Sequence, residues 1–485
     1  MVSRDRLMQR MVAVLGPPGL ISERSQLRTY ECDGLTSYRV IPSLVLLPET
    51  AEQVQGVVRI CYEEGVPFVA RGSGTGLSGG ALPVQEGVLI VLSRMRRILD
   101  VDIPSQRVVV EPGVLNMWVT EAVAAHGYFY APDPSSQIVC SIGGNVAENS
   151  GGAHCLKWGF TTNHVTGLEI VLPTGEMVHL GGKAVDPPGY DLIGAFVGSE
   201  GTLGIATKIT LKIVRMPETV RTLLAAFPSM DHAGGAVSGI ISAGILPAAV
   251  EMMDPLSIEA AEIAVHPNYP AHAGSILIIE LDGAEVEVEN QLQQVNDICG
   301  ANGSTEIRLA ADDDERALMW KGRKSAFAAM GRISPDYYVQ DGVIPRTALP
   351  EVLRTIAKLS TKHGLRVANV FHAGDGNLHP LVLYDGSVAG EAERAESLAG
   401  EILRTCLEHG GSITGEHGVG QDKKRYMADM FSTSDLQTMQ LLRCAFDPGR
   451  LCNPGKIFPT PRLCGEVPGP FRMHPLERAG VASRM

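Results

Sequence analysis

Apolar residues in the first half of the chain alternate between strand-like and helix-like spacing. Residues 43–47 form a short apolar run and predict a strand. Thr50-Ala-Glu-Gln53 follows as a capping box, and Val54, Val57, Val58 and Cys61 then mark one face of a helix. Further strands are predicted at 66–70, 87–92 and 107–110, with a helix over 116–126 that Gly127 ends. Residues 166–180 have the pattern of a hairpin turning at Pro173-Thr174-Gly175, and β-branched residues continue over 201–214. Beyond Pro217 the pattern changes to longer helical stretches with strand segments such as 275–281. The acidic run from Asp312 to Glu315 fits a helix N-terminus ahead of Leu318, Trp320 and Arg323. The chain therefore divides into an N-terminal segment 1–43, a first domain 44–217, a second domain 218–420, a C-terminal segment 421–460 and a tail 461–485. The tail is rich in Pro, Gly and Arg and is expected to be loosely held.

Composition narrows the function classes. The 485 residues are 45% hydrophobic and 20% charged, which is ordinary globular usage. The net charge of −13 argues against non-specific nucleic-acid binding, which needs a basic surface. No apolar run approaches the ~18 residues of a membrane-spanning helix. The first twenty residues lack the apolar core of a signal peptide, so a cytoplasmic location is expected. The nine cysteines include no Cys-x-x-Cys pair, which leaves no zinc ribbon or ferredoxin-type cluster and favours buried free thiols.

Three glycine clusters carry the first chemical signal. Arg71-Gly-Ser-Gly-Thr-Gly-Leu-Ser-Gly-Gly80 follows a predicted strand, and Gly74, Gly76 and Gly79 satisfy G-x-G-x-x-G. A Rossmann site needs a full helix at that point. Gly80 and Pro83 interrupt it, and the next strand near Gly87 leaves no room. A loop of successive exposed amides can instead make a nest for a diphosphate. The clusters Ser141-Ile-Gly-Gly-Asn-Val-Ala-Glu-Asn-Ser-Gly-Gly152 and Gly198-Ser-Glu-Gly-Thr-Leu-Gly204 suggest further backbone lying close along an extended ligand.

A second signal is His372-Ala-Gly-Asp-Gly-Asn-Leu-His379. Asp375-Gly376 reads as a two-residue hairpin turn that places His372 directly opposite His379 on one face. The competing reading is a surface hairpin with two incidental histidines. Gly415-Glu416-His417-Gly418 adds a carboxylate and a third imidazole. Consecutive strand residues face opposite ways, so both serve one site only in irregular backbone, which the flanking glycines permit. Two histidines and a carboxylate suit Zn, Mn or Fe as a divalent ion. Arg323, beside Lys321 and Lys324, is by itself equally a helix-surface arginine.

These segments, with Trp320-Lys-Gly-Arg-Lys-Ser325, residues 331–338 and 411–420, and Asn453-Pro-Gly-Lys456, resemble the vanillyl-alcohol oxidase / p-cresol methylhydroxylase (PCMH) superfamily of FAD-binding proteins. Within it the chain is similar, over about residues 31–459, to the FAD-linked D subunits of bacterial glycolate oxidases and their D-lactate and D-2-hydroxyglutarate dehydrogenase relatives. The resemblance implies an α+β fold. It would comprise a two-part PCMH-type FAD-binding domain, an α+β cap carrying the substrate site, and a C-terminal segment that returns to the FAD domain. It further implies FAD contacts from Arg71, Gly72, Ser73, Gly74, Thr75, Gly76, Ser78, Pro132, Asp133, Ser141, Gly143, Gly144, Asn145, Asn149, Gly152, Glu200, Gly201, Gly204, Ile205, Asn453 and Lys456. His372, His379 and Glu416 would hold the divalent metal, His417 would take the hydroxyl proton, and Arg323 would grip the substrate carboxylate. The flavin is expected to be non-covalent, because residues 71–80 contain no histidine. With no cluster ligands in the chain, the resemblance implies a second flavin-type subunit and an iron–sulfur subunit, through which the protein would reach the inner membrane.

Relatives that prefer 2-hydroxyglutarate tend to carry a lysine and an asparagine where this chain has Val339 and Leu381. Nothing polar at those positions would pair with a second substrate carboxylate. The expected reaction is therefore oxidation of a short 2-hydroxy acid, glycolate to glyoxylate, with D-lactate as the alternative. A catalytically silent FAD-binding assembly subunit and a flavin-free metal hydrolase are the rival classes. The joint presence of Arg323, His372, His379, Glu416 and His417 opposes the first, and the glycine clusters oppose the second.

Overall fold

The computed structural model describes residues 3–184 and 188–459. The tail 461–485 lies outside the described residues. In the first half, strands Leu44–Leu46, Val88–Val91 and Phe68–Arg71 pair in parallel, with Leu20–Ile21 antiparallel at the edge. Helix Ala51–Glu64 begins where Thr50 accepts a hydrogen bond from the Gln53 amide, and it buries Val54, Val57, Val58 and Cys61. No helix intervenes between Phe68–Arg71 and Val88–Val91, so the first glycine cluster is a loop and not a Rossmann turn. The second sheet is antiparallel, in the order Ile98–Asp102, Arg107–Val110, Ile205–Lys212, Val165–Val171, Met177–Gly181. The expected hairpin is its last pair, with Val171 opposite Met177.

The second half is built on an eight-stranded antiparallel sheet. Its main path runs Glu306–Leu309, Thr219–Phe227, Ser275–Gly283, Ala249–Met253, Val367–His372, Asn377–Tyr384, Asp336–Val339, and Gly342–Val343 also pairs with Asn377–Tyr384. The sheet is more extensive than the sequence reading expected. Both of its faces are covered, so its strands lack the alternation that marks a half-exposed strand. Leu223, Ala225 and Phe227 face one core with helices Met230–Ser242, Glu285–Ala301, Leu349–His363 and Glu391–Glu408. Leu224 and Ala226 face the other, with helices Pro255–Val265 and Asp313–Ala329. The latter starts at the expected place, where Asp312 accepts from the Glu315 amide.

The chain then returns to the first half. The Phe68 amide donates to Leu451 O at 2.8 Å, and the Asn453 amide donates to Phe68 O at 2.8 Å. Eight cysteines fall among the described residues, six of them buried, while Cys464 lies outside.

Partly buried ion pairs join the two halves. His154 places Nδ1 2.9 Å from Asp133 Oδ2 and Nε2 3.0 Å from Glu280 Oε1 across the joint. Lys324 Nζ reaches back to Asp133 at 3.1 Å, and Lys157 pairs with Asp282. Burial disfavours the imidazolium, but the two carboxylates outweigh it and raise the His154 pKa from 6.5 to about 10. A folded-state pKa above the unfolded one stabilises fully below about pH 6.5 and is lost as the pH rises through about 10. His154→Gln should therefore lower Tm most at and below neutral pH, with the gap to the parent narrowing as pH rises from 7 to 10. Thermal melts across that range check this, and a gap independent of pH contradicts the assignment.

Candidate active site

The three glycine segments form one wall of a single large cavity. Of the residues implied as cofactor contacts, 71–76, Ser141, 143–145, Glu200, Gly201, Gly204 and Ile205 line it. Their backbones approach closely: a Cβ at Gly72 would collide with Ser141 Oγ, and Gly74 needs its φ of +72°. The other seven residues, Ser78, Pro132, Asp133, Asn149, Gly152, Asn453 and Lys456, lie off that wall and brace it. Ser78 O accepts from the Gln421 and Asp422 amides. Asn453 Nδ2 donates to Gly80 O at 2.9 Å and Glu200 O at 2.6 Å, and Lys456 Nζ donates to Leu82 O at 2.7 Å. Pro132 O accepts from Asn116, Asn149 Oδ1 accepts from the Thr162 amide, and Asp133 is engaged at the joint with Gly152 behind it.

The opposite side of the cavity is formed by Phe327, Glu416 and His417. Behind them the histidine hairpin has a different register from the expected one. His372 lies opposite Asn377, and Val370 opposite His379. The connection is a four-residue turn closed by the Gly376 amide on His372 O, with Asp375 Oδ1 accepting from the Asn377 amide. The offset of two residues keeps the side-chain face, so His372 and His379 are diagonal neighbours and still meet. Their ring centroids are 5.0 Å apart. Glu416 Oε1 lies 3.3 Å from His372 Nε2 and 3.1 Å from His379 Nε2. His379 is fully buried, yet neither of its ring nitrogens makes a well-directed hydrogen bond among the described residues. His372, His379 and Glu416 each offer one ligand atom, all within 4.8 Å of one another, a grouping that could hold a metal ion.

His417 stacks on His379 with centroids 4.9 Å apart and 14° between planes, and its Nε2 is 3.8 Å from Glu416 Oε1. Burial lowers its pKa from 6.5 to about 4 against the attraction of Asp341, so the ring is neutral at pH 7. The backbone at 412–421 is irregular, as two consecutive site residues require. The cause is Asp341, fully buried, whose carboxylate accepts from the amides of Gly415 (3.1 Å), Glu416 (3.2 Å) and His417 (2.9 Å) and from Thr414 Oγ1 (2.5 Å). Lys423 Nζ pairs with it at 3.1 Å. Burial opposes ionisation of Asp341, but Lys423 and His417 outweigh it and hold the pKa well below the carboxylate range.

Arg323 is not a surface arginine. It is 3% exposed on the sheet-facing side of helix Asp313–Ala329, with Nη2 2.5 Å from Glu251 Oε2, and it stands behind the cavity wall. Sequence reasoning missed Glu251, Asp341 and Lys423, together with Glu148, whose Oε2 is buried on the cavity wall without a hydrogen-bond partner among the described residues. Burial and the facing Glu200 push Glu148 well above the usual carboxyl range. The available signal was a charge within an apolar stretch, as in Ala249–Met253, where Glu251 is the only polar residue.

Comparison with known proteins accounts for both halves. A family model described as "FAD binding domain" matches residues 42–181, and one described as "FAD linked oxidases, C-terminal domain" matches 216–457. The chain is 52% identical over 459 residues to glycolate oxidase subunit GlcD of Escherichia coli (strain K12), covering 94% of this chain and 92% of that one. It is 37% identical to the subunit of the same name from Bacillus subtilis (strain 168), covering 94% and 97%. A probable mitochondrial D-lactate dehydrogenase of Danio rerio is 31% identical, covering 86% and 84%. Among solved structures, p-cresol methylhydroxylase with substrate bound superposes at a TM-score of 0.78 with 19% identity over 93% of this chain and 96% of that one, a likeness of fold. The chain belongs to the FAD-linked oxidases, in the family that includes the glycolate oxidase subunits GlcD.

Proposed function

We propose that the protein is the catalytic subunit of a glycolate-oxidising complex and converts glycolate to glyoxylate. The observation that carries this reading is that Glu416 and His417 open into the same cavity that the glycine segments line. The FAD site and the histidine cluster are therefore one compartment. When bound, FAD supplies a two-electron acceptor, and a divalent ion on His372, His379 and Glu416 would polarise the substrate hydroxyl. Within the chain, neutral His417 accepts the hydroxyl proton at Nε2, the nitrogen on the Glu416 side. Arg323 is assigned the carboxylate on the family resemblance: it stands behind the cavity lining with Nη2 paired to Glu251, and its Nε makes no well-directed hydrogen bond among the described residues. Phe327, whose ring stands at 90° to that of His379 with centroids 5.4 Å apart, gives the substrate space an apolar side.

A short substrate is favoured by two apolar positions. Val339 and Leu381 are direct cross-strand partners and pack into the apolar core, so neither offers a group for a second carboxylate. D-Lactate is the second reading, on the likeness to the D-lactate dehydrogenases. Electrons would leave through a second flavin-type subunit and an iron–sulfur subunit, with any membrane contact made by those partners. No helix among the described residues is long and apolar enough to cross a membrane.

Anaerobic bleaching of the bound flavin tests the reaction. Glycolate should bleach it fastest, D-lactate more slowly, and D-2-hydroxyglutarate least; bleaching by none of the three overturns the proposal. His417→Ala should keep FAD and metal near parent stoichiometry while flavin reduction in stopped flow slows by about 10²–10⁴-fold. His379→Ala should lose the metal as well, and the reverse pattern would exchange the two roles. Arg323→Lys should raise KM for glycolate strongly with flavin content unchanged, because an ammonium cannot reproduce the fork. An unaltered KM removes Arg323 from the substrate site.

A further inference from the structure

Glu251 is a buried carboxylate in the middle of an apolar strand, and it has two partners that the proposed reaction uses for different purposes. In the sheet register it lies directly opposite His372. Its Oε1 is 2.7 Å from His372 Nδ1, and its Oε2 is 2.5 Å from Arg323 Nη2. The residue is 1% exposed, and it carries a charge where its strand neighbours Val250 and Met252 belong to the apolar core. A lone carboxylate at such a depth is costly unless both oxygens are engaged. Here Oε1 meets the His372 ring nitrogen, and Oε2 is ion-paired with the Arg323 guanidinium without a well-directed hydrogen bond among the described residues.

We propose that Glu251 is a positioning residue that couples the metal ligand His372 to the substrate-anchoring Arg323. The inference rests on the metal and substrate reading given above. An imidazole can donate at only one nitrogen while offering a lone pair at the other. By accepting from Nδ1–H, Glu251 fixes the tautomer in which Nε2, the nitrogen 3.3 Å from Glu416, is free to bind a cation. The second oxygen ion-pairs with the buried guanidinium and keeps it beside His372. Metal-binding geometry and carboxylate-binding geometry are thereby set by one rigid group.

The amide of Glu251→Gln cannot serve both partners. With its oxygen toward Arg323, its NH2 faces His372 Nδ1, which must then accept; the proton moves to Nε2 and blocks the metal lone pair. With its oxygen toward His372, its NH2 faces the guanidinium, donor against donor. The amide is close in volume to the carboxyl, so a merely structural role predicts at most a lower Tm.

The test is calorimetric titration of Zn²⁺ and of Mn²⁺ into the FAD-loaded, metal-stripped full chain, with KM and kcat for glycolate measured on the reloaded protein. Glu251→Gln should weaken metal binding by about 10–100-fold and raise KM, with FAD stoichiometry unchanged. Parent-like metal affinity in Glu251→Gln overturns the proposal. Should that variant fail to retain FAD, Glu251→Asp decides. Its carboxylate keeps the charge but is one methylene too short to span both partners, so weakened metal binding is expected and parent-like binding overturns the proposal. If the parent itself takes up neither metal, the metal reading fails and this inference falls with it. Parent binding together with unchanged variant binding defeats the Glu251 role alone.

Discussion

The site depends on how one buried carboxylate, that of Asp341, is satisfied. Extended backbone would send Glu416 and His417 to opposite sides. Three successive amides, of Gly415, Glu416 and His417, converge on Asp341, and the segment curls around it. That curl brings both side chains to the cavity. Lys423 neutralises the arrangement from the segment that follows, and breaking such a buried pair typically costs ~3–5 kcal/mol. The loop is therefore held by charge as well as by hydrogen bonds.

A second carboxylate extends the same logic toward the flavin domain. Glu200, in the third glycine segment, accepts from the Val419 amide at 2.7 Å and the Gly420 amide at 2.6 Å. Asn453 and Lys456 from the returning segment fasten the carbonyls of Gly80, Leu82 and Glu200. The glycine-lined wall and the histidine cluster come from distant parts of the chain, and these polar contacts set their separation. A redox site needs that spacing fixed, since the reacting carbon and the acceptor must be held in contact.

Charge withdrawn wholly or partly from solvent is placed in sets, each with a partner from another element. Asp133, His154, Glu280 and Lys324 form one set at the joint, and Arg323, Glu251 and His372 form another beneath the site. Two-sided burial of the large sheet makes this possible, because helix Asp313–Ala329 covers the face on which Glu251 and His372 stand.

The sequence by itself determined the local chemistry. Glycines that interrupt any helix after Phe68–Arg71 excluded a Rossmann turn. The His372–His379 and Glu416-His417 motifs named the residues that the fold brings together as a candidate ligand set, and helix caps at Thr50 and Asp312 marked element starts. Local spacing carries that information, because turns, caps and periodicity act within a few residues. Tertiary structure decided the rest. The four-residue turn that shifts the histidine register, the Glu251–His372 contact 121 positions apart, and the closure of 414–418 around Asp341 are long-range events. The division of the glycine-segment residues into those that line the cavity and those that brace it belongs with them. A buried charge reveals its purpose only through the partner that compensates it, and that partner is chosen by the packing of the sheet and not by neighbours along the chain.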